Sequence, residues 1–516
     1  MPATILWVDD EIDLLRPYVI FLEQKGYNVE TATNGHDAIE MVNAKPFDLV
    51  FLDENMPGIS GLETLNQIKQ IRPTLPVVMV TKSEEENIMD DAIGSKIADY
   101  LIKPVNPKQI LLSIKKHIHG RELVTEKQIA NYRVEFGTIS QMISSARTAN
   151  DWANIYRKLA YWQVLVTDNN DSNLKQILEM QQAEANHAFS KFIKNTYVNW
   201  FKNDEDKPLL SPNLLKEKVF PLIDNGRNVL VVLIDNLRYD QWKIIEPLIL
   251  ENWKVETEDM YYSILPTATQ YARNAIFAGL MPMDLQNKYP ELWVYDEEDE
   301  GKNLFEFDLL KYQLQRLGKN YSVFYEKANT LKPGMKIVDN LKGVLQNNLS
   351  VIVYNFVDMM SHSRTDSNMM RELASDEVAY LSLTRSWFQH SDLRTLLNEA
   401  AKHNVTVVIT TDHGTMRVQN PVKVIGDKST STNLRYKLGR NLNYSHKDVF
   451  EIKTPADVHL PRTTISSSYI FAFGNNFFAY PNNYNYYVNY YRDTFQHGGI
   501  SLEEMIIPVI VLSPNI

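Results

Sequence analysis

Val405–Met416 reads VTVVITTDHGTM, a run of β-branched residues that stops abruptly at Asp412-His413-Gly414. Such a run describes a parallel strand buried on both faces, with its polar tail at the carboxyl edge of the sheet. That edge is where open α/β sheets bind ligands and carry out chemistry. An adjacent Asp and His at a strand end are two candidate ligands for one metal ion. Outward from this stretch, VLVVLIDNLRYD begins at Val229 and gives a second buried strand ending in Asp235. VIVYNFVDMMSHSR gives a third, followed by Asp358 and His362, which share one face if that turn is helical. SILPTATQYARNAIFAG places Thr269 where a helix would begin, after Pro266 and a Thr-rich turn, and DTFQHGGISLEEMIIPVIVL places His497 in a Gly-flanked loop before a last strand.

The chain has 516 residues and no cysteine. Disulfides, thiolate metal sites and Cys nucleophiles are therefore excluded, and a transition metal must be held by His and carboxylate. Mixed carboxylate and imidazole donors suit Zn²⁺, and seven candidate positions (Asp235, Thr269, Asp358, His362, Asp412, His413, His497) fit two ions better than one. A threonine hydroxyl is a poor nucleophile until a metal lowers its pKa, so Thr269 suits the roles of ligand and nucleophile together. Singly, each position also has an ordinary reading: Asp235 and Asp412 as helix caps, His413 and His497 as hydrogen-bonded loop residues, Thr269 as an N-cap. Arg273 suits contact with a phosphate or pairing with an acidic neighbour.

These motifs, in the order D, PTxT, DxxxH, DH, HGG over roughly Leu214–Ile516, resemble the alkaline phosphatase superfamily, specifically its PglZ branch. The resemblance implies one metal held by Asp235, Thr269, Asp412 and His413, and a second held by Asp358, His362 and His497. PTATQYAR at the nucleophile turn lacks the Cys or Ser of a sulfatase signature.

The first 120 residues follow the same grammar on a smaller scale. Apolar runs at Ile5–Val8, Val29–Ala32, Leu49–Leu52, Val77–Val80 and Tyr100–Ile102 alternate with helix-length segments, which describes a doubly wound, flavodoxin-like parallel sheet. Asp9, Asp10 and Asp53 fall at strand ends, as does Thr81, with Lys103-Pro104 just beyond the fifth run. Carboxylates gathered at one edge require a cation, and hard oxygen donors favour Mg²⁺. DD, LDENMPGISG, T and KP together resemble a two-component receiver domain. That resemblance implies phosphorylation of Asp53 by a sensor histidine kinase, Mg²⁺ at Asp10, Asp53 and the Asn55 carbonyl with Asp9 behind them, a switch pair Thr81 and Tyr100, Lys103 on the phosphoryl group, and a cis peptide at Pro104.

Between the two, Ile139/Met142/Ile143/Ala146, Trp152/Ile155/Tyr156/Leu159 and Ala185/Ala188/Phe189/Phe192 form apolar helical stripes, predicting a small bundle. His187 on the last of these helices reads as a packing or surface residue. NDEDKPLLSP, at Asn203–Pro212, is the predicted boundary, so the expected domains are 1–120 receiver, 121–213 helical linker and 214–516 α/β output domain. The net charge of −11 disfavours nonspecific duplex DNA binding, yet Val418–Lys447 collects Lys423, Lys428, Arg435, Lys437, Arg440 and Lys447 and reads as an exposed basic loop, with Lys437 and Arg440 as candidate substrate contacts. The Tyr- and Asn-rich stretch from Phe477 to Tyr491 reads as strand packing, with base stacking as the other possibility.

A receiver, a helical linker and a PglZ domain in that order resembles the PorX-type response regulators. The resemblance implies a zinc-dependent phosphodiesterase acting on nucleotide or oligonucleotide diesters, a phosphorylation-promoted homodimer, a sigma factor partner and control of type IX secretion. The competing expectation is a signalling adaptor with a structural metal site that acts through protein contacts. No apolar run is long enough to span a bilayer, and the opening MPATILWVDDE lacks a signal-peptide pattern, so a cytoplasmic protein without membrane insertion is expected.

Overall fold

The computed structural model describes residues 3–81, 97–118, 120–169, 172–203, 206–294, 303–328, 331–366, 374, 376–427 and 430–515. The chain forms two compact units, 1–132 and 133–516. In the first, strands β1 (Thr4–Val8), β2 (Asn28–Ala32), β3 (Leu49–Leu52), β4 (Val77–Thr81) and β5 (Asp99–Ile102) form an all-parallel sheet in the order β2-β1-β3-β4-β5. Leu6, Val8, Val50 and Leu52 pack to one side, while Ile5, Trp7, Leu49 and Phe51 pack to the other. Burial on both faces is why these strands are continuously apolar. Local caps fix where the helices start: Asn34 accepts from Asp37 N, and Ser60 and Glu63 form a reciprocal capping box.

The second unit is built on a six-stranded sheet. Its strands are β6 (Val229–Ile234), β7 (Trp253–Tyr262), β8 (Val323–Ala328), β9 (Leu349–Tyr354), β10 (Thr406–Thr410) and β11 (Ile506–Pro514), ordered β7-β11-β10-β6-β9-β8. Strands β10, β6, β9 and the edge strand β8 are parallel, and β11 runs antiparallel to both β10 and β7. The three central strands are buried at every position. Register then decides the site. Leu233 sits opposite Thr410 and Ile234 opposite Tyr354, so Asp235 and Asp412 emerge at one height, two residues further on.

The long helices Ala149–Asn169 and Ser172–Thr196 belong to this same unit. The predicted stripes are largely buried: Ile139, Ile143, Ala146, Trp152, Ile155, Tyr156, Leu159, Ala185 and Phe189 are in the core, and Met142, Ala188 and Phe192 are half-buried. They pack on the sheet rather than on one another alone. Phe189 lies 6.3 Å from Tyr262 of β7, the Tyr262 hydroxyl donates to Ala149 O (2.7 Å), and Leu265 N donates to the Tyr197 hydroxyl (2.8 Å). The stretch Asn203–Pro212 therefore connects parts of one compact unit. Phe477–Tyr491 also departs from expectation, because only Asn476–Ala479 is a strand and Tyr484–Tyr491 is helical, stacking Tyr486 on Tyr490 and Tyr487 on Tyr491. Four-residue spacing places those ring pairs on one helix face, which strand alternation would not. Among the described residues no helix is long and apolar enough to cross a membrane.

Ile352, fully buried in β9 between β6 and β8, tests this core. Ile352→Ala is expected to lower stability by about 2–5 kcal/mol, read from the urea midpoint of the full-length chain. A loss under about 1 kcal/mol would contradict the packing described.

Candidate metal centres

In the first unit, Val8 pairs with Leu52, which sets Asp9 and Asp53 side by side at the sheet edge. Ligand oxygens of Asp9, Asp10 and Asp53 lie within 4.8 Å of one another. Lys103 Nζ reaches Asp9 Oδ2 at 2.6 Å and Asp53 Oδ2 at 3.1 Å, and the Lys103-Pro104 peptide is cis. Asp53 Oδ1 is buried without a hydrogen-bond partner. Burial raises the Asp53 carboxyl above its ordinary range, with Lys103 pulling it back. One lysine among three carboxylates leaves negative charge over, and the orphan oxygen and all-oxygen donor set fit a hard cation. Asn55 sits in an exposed turn two residues beyond Asp53, and Tyr100 is half-buried against the sheet core. The Thr81 side chain lies outside the described residues.

In the second unit, Asp235, Asp412 and His413 are fully enclosed, and their ligand atoms lie within 4.8 Å of one another. Asp235 Oδ1 and Asp412 Oδ2 have no hydrogen-bond partner. Burial pushes the Asp235 carboxyl well above the usual range, Arg273 lowers it, and Asp412 and Asp358 raise it again. Burial likewise raises Asp412 against the pull of Arg273. Two such carboxylates must take up protons or hold a cation.

The imidazoles are set to serve as donors. His413 Nδ1 lies 3.1 Å from Gly414 O and His497 Nδ1 lies 3.2 Å from Thr267 O. A carbonyl can only accept, so each Nδ1 carries the hydrogen and Nε2 is the lone-pair nitrogen. Burial holds the His413 pKa down, which keeps that ring neutral. The Thr269 hydroxyl, at the first residue of the helix Thr269–Ala278, lies 3.0 Å from His413 Nε2. His497 Nε2 lies 3.8 Å from Asp358 Oδ1, and the two imidazoles stack at 4.3 Å. Asp358 opens the helix Phe356–Asp366, which also contains His362, whose side chain lies outside the described residues. Thus Asp235, Thr269, Asp358, Asp412, His413 and His497 converge. Asp235, Asp412 and His413 are closed off, while Thr269, Asp358 and His497 are partly exposed.

Arg273 takes the acidic-neighbour role. Its Nη1 meets Asp235 Oδ2 at 2.8 Å and its Nε meets Glu306 Oε1 at 2.9 Å, with Asp412 Oδ2 at 3.8 Å. Glu306 was not singled out from the sequence, yet it is fully buried and bonds Lys327 and Tyr325 as well. Its signal was positional: Glu306 occupies the same stripe as Leu309, Leu310, Gln313 and Leu314. Asn236 was missed too. It adopts a left-handed φ of 65° and donates to Asp358 Oδ1 (3.3 Å) and Ser361 Oγ (3.1 Å). Asn tolerates that conformation better than most residues, which bends the chain directly after Asp235.

The basic stretch Val418–Lys447 is only partly exposed: among its described cations Lys423, Arg440 and Lys447 are exposed, while Arg435 and Lys437 are buried. Arg435 is fully buried on Glu504, with Nε at 3.1 Å from Oε1, and Lys437 is 1 % exposed. Lys437 Nζ donates to Ser431 O (2.9 Å) and lies 4.7 Å over the Tyr480 ring, so it offers no charge to a substrate. The strand Tyr436–Gly439 is buried at every position, so Lys437 is enclosed whichever face it takes. Arg440 is exposed and paired with Asp427 at 3.3 Å, and Lys428 lies outside the described residues.

With this geometry in view, a family model for the BREX system PglZ alkaline phosphatase-like domain matches residues 214–512. Models for the response regulator receiver domain and the PorX response regulator linker domain match residues 5–115 and 122–201. Fold and site together define a response regulator with an alkaline phosphatase-like output domain, and its receiver implies a sensor kinase as phosphoryl donor. Its similarity to curated proteins is of receiver length. The alginate biosynthesis transcriptional regulatory protein AlgB of Pseudomonas syringae pv. tomato is 39% identical over 119 residues, 23% of this chain and 27% of that protein. Transcriptional regulatory protein ResD of Bacillus subtilis is 35% identical over 111 residues, 22% of this chain and 46% of that protein. The chain therefore spans less than half the length of either relative. A CheY-like receiver structure from Methanospirillum hungatei is 29% identical and covers 24% of this chain and 98% of its own, with a TM-score of 0.23. The chain belongs to the PglZ alkaline phosphatase-like family, in the receiver–linker–PglZ order of the PorX-type response regulators.

The burial of Lys437 has a pH signature. Burial brings its pKa from the ordinary 10.5 down to about 7. The unfolded chain then holds more protons between those values, so stability from this group is full above the upper value and is lost as pH falls through the lower one. Lys437→Met is expected to raise the melting temperature most at pH 6, by a margin that narrows as pH rises toward 10. A margin independent of pH would place Lys437 in solvent.

Proposed function

We propose that the output domain is a two-zinc phosphodiesterase of nucleotide or oligonucleotide diesters, with Thr269 as its nucleophile. The observation that carries this reading is the convergence of the Thr269 hydroxyl on His413 Nε2, at 3.0 Å, beside two buried carboxylates with orphan oxygens. Asp235, Thr269, Asp412 and His413 would hold one ion, and Asp358, His362 and His497 the other. Such ions, when bound, supply Lewis-acid charge at phosphorus and make a hydroxyl nucleophile available at neutral pH.

The protein's own groups do the positioning. Thr269 stands at the first residue of a ten-residue helix, whose leading backbone N–H groups favour an anionic phosphate. His413 is neutral and its Nε2 lone pair faces the Thr269 hydroxyl, so the two would act as neighbouring donors to one ion, and the Thr269 proton would pass to water as the oxygen attacks phosphorus. Attack would form a phosphothreonine and expel the alcohol of the diester. Arg273 holds the Asp235 carboxylate in place and is itself fixed by Glu306. Water would then cleave the phosphothreonine and restore the hydroxyl.

Upstream, phosphorylation of Asp53 with Mg²⁺ at Asp10, Asp53 and the Asn55 carbonyl would favour a dimer-competent receiver, read out through Thr81 and Tyr100. The proposed division is receiver 1–120, helical linker 121–213 and output domain 214–516. A sensor histidine kinase, a sigma factor and type IX secretion genes complete the proposed setting, with a cytoplasmic location.

Purified protein is expected to contain zinc by elemental analysis and to hydrolyse bis-p-nitrophenyl phosphate. Chelation should abolish turnover, Zn²⁺ should restore it, and Thr269→Ala should cut kcat by about three orders of magnitude or more. An active Thr269→Ala enzyme would discard the nucleophile. Acetyl phosphate with Mg²⁺ should label the chain, and Asp53→Ala should abolish labelling; undiminished labelling would remove Asp53 from its role.

A further inference from the structure

The reaction proposed above makes no use of the helix Tyr484–Tyr491. Tyr484, Val488 and Tyr491, spaced by four and three, turn inward and pack with Val418 and Phe477. The opposite face carries rings into solvent, with Tyr486 64 % exposed and Tyr487 39 %. Neither ring is left loose. Tyr486 stacks on Tyr490 at 6.0 Å with 14° between planes, Tyr487 stacks on Tyr491 at 6.2 Å and 12°, and Tyr486 meets Tyr487 edge-on at 5.3 Å. Propping of this kind removes rotamer freedom before any ligand arrives, so a flat partner is met at low entropic cost.

Two further observations bear on what that partner is. The first is charge. Arg462–Arg492 contains no acidic residue in a chain of net charge −11, and the helix interleaves its tyrosines with the exposed Asn485 and Asn489 and runs into the exposed Arg492. Asp493, next in sequence, is paired with Arg417 at 2.9 Å. A neutral, amide-bearing face with a cation at its end admits a polyanion that an acidic surface would repel. The second is place. Asp493 N donates to Val418 O (2.7 Å), Val418 N donates to Thr494 O (2.9 Å), and Met416 pairs with Gln496. The helix is therefore seated where the segment leaving His413 meets the segment entering His497. Five residues separate Tyr491 from His497, which limits their Cα separation to about 20 Å. A strand of several nucleotides with one phosphodiester at the metal centre therefore reaches the ring face.

We infer that the exposed ring face of this helix is a stacking platform for the bases that flank the scissile phosphate of a single-stranded oligonucleotide, with Tyr486 and Tyr487 on the bases and Arg492 on a backbone phosphate. The inference rests on the diester reading for its choice of ligand, and narrows that reading from a diester in general to a strand with bases. Every base has a π-face, so stacking brings no strong sequence preference. The test is fluorescence anisotropy of a labelled thymidine octamer on full-length Thr269→Ala protein at low salt, which reads binding without turnover. Adding Tyr486→Ala is expected to weaken binding about tenfold, while Tyr486→Phe, which keeps the ring, retains it. An abasic octamer, with the same phosphates and no bases, should bind about tenfold more weakly and be indifferent to Tyr486→Ala. Absence of octamer binding up to about 1 mM would overturn the assignment. So would equal binding of the two octamers, unchanged affinity after Tyr486→Ala, or displacement of the octamer by a glucan hexamer. Loss of a dimer on sedimentation of the Tyr486→Ala chain would also overturn it, making the face a contact between copies. Base-dependent binding by a chain that cleaves no diester would remove the hydrolytic reading and leave the platform standing.

Discussion

Parallel register is the constraint from which the second unit's chemistry follows. Hydrogen bonding holds β10 and β9 each one strand spacing from β6, and the pairing of Leu233 with Thr410 leaves Asp235 and Asp412 no choice of height. Two carboxylates are thereby pressed together where the bulk solvent does not reach. Arg273 answers part of that charge, contacting Asp235, Asp412 and Glu306 at once. Glu306 then spreads the network to Lys327 and Tyr325. The arrangement therefore fixes geometry and leaves charge unbalanced, and Asp235 Oδ1 and Asp412 Oδ2 mark where the imbalance is concentrated.

The first unit uses the same device with a different boundary condition. Val8 opposite Leu52 brings Asp9 beside Asp53, just as Leu233 opposite Thr410 brings Asp235 beside Asp412. Here Asp10 is exposed and Lys103 supplies a mobile ammonium in place of a buried guanidinium. A flexible point charge suits a group that must come and go, while a planar guanidinium held on several carboxylates suits a permanent framework. One fold principle thus yields a site with an exposed carboxylate and a site whose carboxylates are fully enclosed.

Strand ends were legible in the sequence because burial on both faces writes an uninterrupted apolar run, and the polar residue that stops it is conspicuous. VLVVLID, VIVYNFVD and VITTDH needed no tertiary information to be placed at one edge. Partners supplied from elsewhere in the chain were harder. Glu306 reads as an ordinary helical glutamate until its stripe is compared with Leu309, Leu310 and Gln313. Arg435 and Lys437 read as solvated because their charge dominates composition, yet the strand Tyr436–Gly439 and its approach are covered on both faces, with Glu504 against Arg435 and Tyr480 against Lys437. The helix Tyr484–Tyr491 was hidden for the converse reason: tyrosine has strong β propensity, and an i,i+4 ring ladder outweighs it.

The short turn Ser501–Met505 ties these parts together. Leu502 N donates to Asn186 Oδ1 of the helix Ser172–Thr196, and Glu503 accepts from the same amide. On its other side Glu504 receives Gly499 N and Arg435, fixing the loop that carries His497. Gly414 completes the contact, since a Cβ there would stand 2.0 Å from Glu503 O. Only glycine allows that approach, directly beside His413. A shift of the helix relative to the sheet therefore has to move Glu503, and Glu503 cannot move without pressing on the backbone that carries His413 and releasing the one that carries His497. The helical segment is for this reason bonded directly to the loops that carry His413 and His497, and a tether passing beside them would not explain these bonds.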